Sequence, residues 1–304
     1  MTELYIGLMS GTSLDGVDAV LVDFSGTPLR VLAHAHRPFD AALAAELLAL
    51  NTPGANELHR AALAGNALVR LCAQAVDEVL ASGDTAATQV RAIGAHGQTV
   101  RHRPGEFDGT GYTIQLNSPA LLAELSGIDV VADLRSRDVA AGGQGAPLVP
   151  AFHRAVFAHA GQTVAVLNLG GIGNLTVLHA DGRTLGFDCG PANLLMDHWC
   201  QRHTGQPYDA AGAWGASGHV DAVLLAQMLA EPYFAQPIPK STGRDLFHPA
   251  WLDAQLQRRS TTLRPEDVQA TLAELTGTAC ANDVRRHASG ARAAARSAGA
   301  SGGR

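Results

Sequence analysis

The sequence predicts two related α/β domains, and three observations carry that prediction. The chain has 304 residues, more than one small core organises, so two domains of ordinary size are the natural expectation. Twice, near residue 4 and again near residue 163, an apolar strand runs into a Gly-rich turn and back into a strand. Each opening is followed by stretches whose apolar residues keep a helical period. The two halves are expected to span 1–130 and 131–288, with a cleft between them, and 289–304 to form a disordered tail.

In the first half, 4–9, 19–24 and 29–35 read as strands, the last two separated by Ser25-Gly26-Thr27-Pro28. Strand, turn, strand, turn, strand implies an antiparallel start to a sheet. Helices follow over 41–50 and 56–81, the second capped by Asn56. A strand over 90–95 ends at His96-Gly97-Gln98-Thr99. Ser118 and Pro119 then supply N-cap and first-turn chemistry for a helix that Gly127 stops. A strand over 129–132 leads into a charged, Gly-rich loop at 133–145. In the second half, strands are expected at 163–169, 175–179 and 185–188, with an Asp181-Gly182 hairpin turn between the last two. Helices are expected at 193–204, with Asn193 as cap, and at 220–229 and 265–287. Segment 289–304 is Ala, Gly, Ser and Arg without a large apolar residue, and cannot bury enough surface to offset its ordering entropy.

Composition narrows the function classes. Hydrophobic residues are an ordinary 46%, but charged residues are only 16%, against a usual ~25%. Ala and Gly replace the missing charge, which signals close backbone approaches. A net charge of −6 without a basic block disfavours nucleic acid and anionic membranes as partners. Cys72, Cys189, Cys200 and Cys280 form no CxxC pair, which suits a reducing cytosol and neither a disulfide framework nor a zinc site. The start shows no basic and apolar leader, and no run approaches the ~20 apolar residues of a membrane span. A soluble cytoplasmic protein is expected.

Three loops carry candidate chemistry. Between the first two strands lie Ser10, Gly11, Thr12, Ser13, Leu14, Asp15, Gly16, Val17 and Asp18. Glycines there let successive N–H groups point at one oxyanion, Thr12 and Ser13 add hydroxyls, and Asp15 and Asp18 could hold a hydrated Mg²⁺ bridging phosphates. No Gly-Lys-Ser/Thr follows, so this is not a Walker loop. The second, Asn168-Leu169-Gly170-Gly171-Ile172-Gly173-Asn174, repeats the same physics with neutral amides. Two such loops facing each other would clamp a nucleoside triphosphate. The third, Gly186-Phe187-Asp188-Cys189-Gly190-Pro191-Ala192-Asn193, puts Asp188 at a strand end, where a carboxylate can serve as general base. A turn-forming aspartate is the competing reading. His96, Gln98, Arg135, Asp138 and Gln144 are polar residues of loops that line up for substrate, Arg135 or Arg137 being suited to a carboxylate. Surface ion pairs, and for His96 a plain hydrogen-bonded strand end, are the alternatives. The remaining histidines lack metal-ligand spacing, and no structural metal is expected.

The stretches MSGTSLDGVDAVLVDF, AHGQTVRH, VVADLRSRDVAAGGQGAPLVPAFH, LNLGGIGNLT, GFDCGPAN and PKSTGRDLF stand in order and together resemble the anhydro-N-acetylmuramic acid kinases. The resemblance runs from residue 4 to about 287. It implies a two-domain actin-like ATPase (ribonuclease H-like) fold. It also implies a kinase using ATP and water to turn 1,6-anhydro-N-acetylmuramate into N-acetylmuramate 6-phosphate in peptidoglycan recycling, as a homodimer with Mg²⁺. Carried over, 11–18 is the ATP phosphate loop, Gly170, Gly171 and Asn174 the opposing one, and Asp188 the catalytic aspartate.

Some residues depart from the family pattern. Ala192 stands where Gly is common, and Gln115-Leu116-Asn117-Ser118-Pro119 replaces a stretch that usually reads Gly-Asp-Pro. Past the last predicted helix the family continues into a strand, a Gly/Asn loop holding adenosine, and closing helices. Here GARAAARSAGASGGR stands instead, so an open nucleotide site and a catalytically impaired sugar-binding remnant is the alternative function. An acetate-kinase-like or peptidase-like member of the fold is disfavoured by the 133–147 loop and PKSTGRDLF.

Overall fold

The computed structural model describes residues 3–288 and the backbone of 292–295. The chain divides into two compact units, Met1–Gly145 and Ala146–Arg304. The boundary thus falls about fifteen residues later than the expected 130/131. The 133–145 loop stays with the first unit because Arg135 donates to His96 and Gly145 donates to Asp138 within that unit.

The first unit opens with β1 (Leu4–Met9), β2 (Gly16–Asp23) and β3 (Arg30–Pro38), consecutive and antiparallel. Helices α1 (Ala41–Ala49) and α2 (Glu57–Ser82) follow. Strand β4 (Val90–Ala95) then lies parallel to β1, and after α3 (Pro119–Ser126) the short β7 (Val130–Val131) lies parallel to β4. The sheet order is β3-β2-β1-β4-β7. Between β4 and α3 stands a separate hairpin of β5 (Gln98–Pro104) and β6 (Gly111–Leu116), and after β7 comes α4 (Ser136–Ala140) in the expected loop. Helix α2 buries Leu68, Val69, Cys72, Ala75, Val76 and Val79, spaced three and four apart so that they share one face. That face packs with Ile6, Leu8, Val17, Ala19, Leu21 and Ile93 of the sheet. Each large side chain so buried contributes about 1.5–3 kcal/mol.

The second unit has α5 (Pro150–Phe157), then β8 (Val164–Leu169), β9 (Ile172–Leu178) and β10 (Thr184–Pro191), again consecutive and antiparallel. Helices α6 (Asn193–Thr204), α7 (Ala222–Leu229), α8 (Pro249–Gln257) and α9 (Pro265–His287) follow. Strand β11 (Arg292–Ala295) lies parallel to β8, giving the order β10-β9-β8-β11. This is the first unit's arrangement over again: a three-strand meander extended by a parallel strand on its first member. Four residues of the expected disordered tail are therefore a strand, since β8 offers them a free ladder. The rest of 289–304 lies outside the described residues. One core joins Leu175, Val177, Phe187 and Cys189 of the sheet to Cys280 of α9. A second gathers Leu195, Trp199, Leu224, Trp251 and Leu272 from the helices and Phe247 from the loop before α8.

Three expected caps are not made by the side chains named. Asn56 precedes α2 in the left-handed region (φ 53) and its side chain makes no cap bond. Neither does that of Ser118, although Pro119 and Gly127 (φ 67) play their expected parts at α3. Asn193 is the first residue of α6 rather than its cap. The N–H groups at that end donate instead to the carbonyls of the β8–β9 turn: Asn193 to Gly170 at 2.9 Å, Ala192 and Leu194 to Gly171 at 3.0 and 3.1 Å. A tertiary acceptor has displaced the local one.

Candidate active site

In the first unit the β1–β2 loop is held by Gln98. The Ser10 hydroxyl donates to Gln98 Oε1, and Gln98 Nε2 donates to the Gly11 carbonyl at 3.1 Å. Ser10 and Gln98 are both buried, so the loop's exit from β1 is fixed by a paired polar contact rather than left open. Leu14 takes a positive φ of 60, and the Ser13 hydroxyl donates to Asp15 Oδ1 at 2.7 Å. Gly16 to Asp18 already belong to β2. Val17 is wholly buried in the core, and a Cβ on Gly16 would stand 2.3 Å from the Arg37 carbonyl oxygen. Asp18 Oδ1 meets His34 Nε2 at 3.2 Å and His36 Nδ1 at 3.1 Å. The exposed part of the candidate phosphate loop is thus Gly11 to Asp15, with Asp18 beside it on the sheet.

His96 follows the last residue of β4, and Arg135 stands immediately before α4. Arg135 Nε donates to His96 Nε2 at 2.9 Å, and His96 Nδ1–H donates to the Gly97 carbonyl at 2.7 Å. Burial and the neighbouring guanidinium hold the imidazole neutral, its pKa lowered to about 4. Arg135 also donates to the Gly145 carbonyl, and the Gly145 N–H donates to Asp138 Oδ2 at 2.7 Å. A Cβ on Gly143 would stand 2.2 Å from the same oxygen. Four of the five predicted sugar-side residues therefore fall into two bonded groups: Gln98 with the β1–β2 loop, and His96, Arg135 and Asp138 with the Gly143–Gly145 turn. Gln144 lies between those two glycines.

In the second unit, strand register aligns Asn168, Asn174 and Asp188 directly across β8, β9 and β10. Opposed residues share a face, so this is a row of three polar side chains at the Gly170–Gly171 end of the sheet. Immediately after it β10 slips register between Asp188 and Gly190, the mark of a bulge that ends regular pairing and re-aims a side chain. Asp188 is 6% exposed. The Thr242 N–H donates to its Oδ2 at 3.0 Å, its own N–H donates to the Lys240 carbonyl at 3.0 Å, and the Tyr233 hydroxyl donates to its carbonyl at 2.7 Å. Among the described residues, Asn174 Oδ1 and Thr242 Oγ1 are buried with no hydrogen-bond partner. Two buried oxygens beside a carboxylate are the kind of exception that marks a functional site.

Thr242, Lys240 and Tyr233 carry no role in the loop-by-loop reading above. The available signal was PKSTGRDLF, where a lysine and two hydroxyls sit between Pro239 and Gly243. Lys240 and Thr242 reach Asp188 through backbone groups and Tyr233 through its hydroxyl, across some fifty residues, which no local pattern encodes. The residues departing from the family pattern are accommodated: Ala192 is buried, and Asn117 Nδ2 donates to the Ala95 carbonyl at 3.2 Å. Among the described residues no three of His, Cys, Asp and Glu form a metal-holding group, and no helix is long and apolar enough to cross a membrane.

A meander-plus-parallel-strand sheet made twice, each with a glycine turn after its first strand, is the doubled plan of the actin-like ATPase fold. A family model described as anhydro-N-acetylmuramic acid kinase matches residues 3–302, so the likeness extends into the segment past 287. A protein of that name from Variovorax paradoxus (strain S110) is 66% identical over 292 residues, covering 94% of this chain and 78% of the relative. Another from Cupriavidus metallidurans (strain CH34) is 60% identical, covering 96% and 78%. The ROK hexokinase from Thermus thermophilus, a solved structure, shares 15% identity over 98% of this chain and 82% of its own, with a TM-score of 0.34. The chain belongs to the anhydro-N-acetylmuramic acid kinase family.

Proposed function

We propose that this kinase hydrolyses the 1,6-anhydro bond of 1,6-anhydro-N-acetylmuramate and phosphorylates the freed O6 from ATP, with Asp188 as general base. The observation that supports it is the setting of Asp188: a buried carboxylate at the register slip of β10, fixed by the Thr242 N–H, in a row with Asn174 and beside the Gly170–Gly171 turn. Asp188 takes one proton from a water whose oxygen attacks C1. The C1–O6 bond breaks with its electron pair leaving on O6. That oxygen attacks the γ-phosphorus of ATP, and ADP departs. Coupling the two steps means that the alkoxide formed in the first is consumed in the second.

Phosphate oxygens are assigned to Gly11, Thr12, Ser13, Leu14, Asp15, Gly16, Val17 and Asp18 and to Gly170, Gly171 and Asn174. At Gly16 and Val17 the contribution is the strand that holds the loop. Mg²⁺ enters as part of the nucleotide co-substrate. It takes most of its ligands from phosphate and water and needs one or two carboxylates rather than a cage. Asp15, exposed at the loop with Ser13 on one oxygen, fits that demand. His96, Gln98, Arg135, Asp138 and Gln144 are assigned to the sugar. The cationic Arg135, oriented by the neutral His96, supplies the donors for an anionic lactyl group. A cytoplasmic homodimer completes the proposal. The catalytically impaired remnant is not favoured by relatives at 60–66% identity over nearly the whole chain.

Asp188→Asn tests the central assignment. The amide cannot accept the proton, so turnover should fall by at least about a hundredfold, within the ~10²–10⁴ range of general-base catalysis. ATP affinity should stay within a few-fold. Turnover within tenfold of the parent protein would overturn the assignment.

A further inference from the structure

Three hydrogen bonds on Asp188 come from a single segment, 233–242. Its ends are tied together by one ammonium. Lys240 Nζ lies 4.8 Å from the centre of the Tyr233 ring and donates to the Tyr233 carbonyl at 3.5 Å. It also stands 3.7 Å from Asp283 Oδ2 on α9, with the two side chains only 3% and 4% exposed. Tyr233 and Lys240 in turn hold the carbonyl and the N–H of Asp188, while Thr242, two residues on, holds its carboxylate.

A buried ion pair is a poor device for stability. Desolvating two charges roughly cancels their attraction, and a well-packed apolar pair of similar volume is often neutral or better. The geometry points to another use. We propose that Lys240 and Asp283 are positioning residues: their buried pair locks segment 233–242 against α9 and so sets where the Asp188 carboxylate stands. The inference rests on the reading of Asp188 as the base. A base displaced by about 1 Å from its water can lose on the order of a hundredfold in rate, so this lock acts on kcat and not on nucleotide binding.

Lys240→Met combined with Asp283→Leu removes both charges, leaving neither buried alone. The double variant should melt no more than about 3 °C below the parent, as expected for an apolar replacement of a buried pair. Its KM for ATP should stay within about threefold, while kcat falls at least about thirtyfold. In an Asp188→Glu background the same pair of substitutions should change kcat by less than about threefold, because groups acting through one another are not additive. Parent-like kcat in the folded double variant overturns the proposal, and so does a loss that multiplies in full in the Asp188→Glu background. Tyr233→Phe is the second arm, removing one hydroxyl and no charge. It should lower kcat at least about tenfold at unchanged KM for ATP, and a parent-like kcat there also overturns the role. A parent-like double variant beside an inactive Asp188→Asn sinks the positioning role alone; an active Asp188→Asn takes down the base assignment and this role with it.

Discussion

Arg135 donates to Nε2 of His96 at 2.9 Å while Nδ1–H of the same ring donates to the Gly97 carbonyl at 2.7 Å. That arrangement admits only the neutral imidazole, since a proton on Nε2 would face a guanidinium. Burial comes first among the causes that lower the pKa from 6.5 to about 4, with Arg135 second.

The sign of the pH dependence follows. The unfolded chain protonates His96 near 6.5 and the folded chain only near 4. Between those values the unfolded state binds more protons. The contribution is therefore complete above pH 6.5 and is lost as pH falls towards 4. Urea unfolding at pH 7.5 and pH 5.0 should differ by about 2 kcal/mol from this group. His96→Gln should remove that difference, and an unchanged difference would assign it to other groups.

Gly143 and Asp138 give a second prediction. A Cβ at 143 would meet the Asp138 carboxylate, the movable end of an exposed side chain. Gly143→Ala should therefore cost less than about 1 kcal/mol of stability, as for most surface changes. It should pull Asp138 off the Gly145 N–H and raise the sugar KM by about tenfold with the ATP KM unchanged. Steady-state kinetics with each substrate varied would show whether the two constants separate.

Gly16 behaves differently although it stands in the same kind of motif. Its Cβ would meet the Arg37 carbonyl oxygen at 2.3 Å and His36 Cε1 at 2.9 Å, and a backbone carbonyl in a sheet cannot swing away. Gly16→Ala should destabilise the first unit by about 2–3 kcal/mol, the scale of an overpacked site. Denaturant titration measures it. A neutral effect would mean that β2 and β3 separate at little cost.

Reaction in oxygen-18 water checks the order of bond making. The label should appear at the C1 hydroxyl of the sugar and be absent from the phosphate, because water attacks carbon and O6 attacks phosphorus. Mass spectrometry of the product reads both positions. Label in the phosphate would mean that ATP is hydrolysed first.

Much of this protein is written locally. Short apolar runs and a following glycine turn mark β1, β8 and β9, the Asp181-Gly182 turn marks the start of β10, and the three-and-four spacing of α2 marks its buried face. Those signals depend only on neighbours in the chain, so the doubled α/β plan was legible; β10 was expected to end at Asp188 but runs on to Pro191, with its register slipping just after Asp188. The β5–β6 hairpin was not legible. Its strand carries Arg101, His102 and Arg103, and Arg101 is buried only because it donates to the Leu50 carbonyl and the Glu57 carboxylate. Tertiary partners likewise decided the N-terminus of α6, where carbonyls from the Gly170–Gly171 turn replaced a side-chain cap. They also decided the surroundings of Asp188, set by the Tyr233 hydroxyl and by backbone groups of Lys240 and Thr242 that every residue possesses. A side-chain pattern records which faces must be buried. It holds no record of which distant N–H will meet which carboxylate, because that donor is the same in every sequence and only the fold gives it a place.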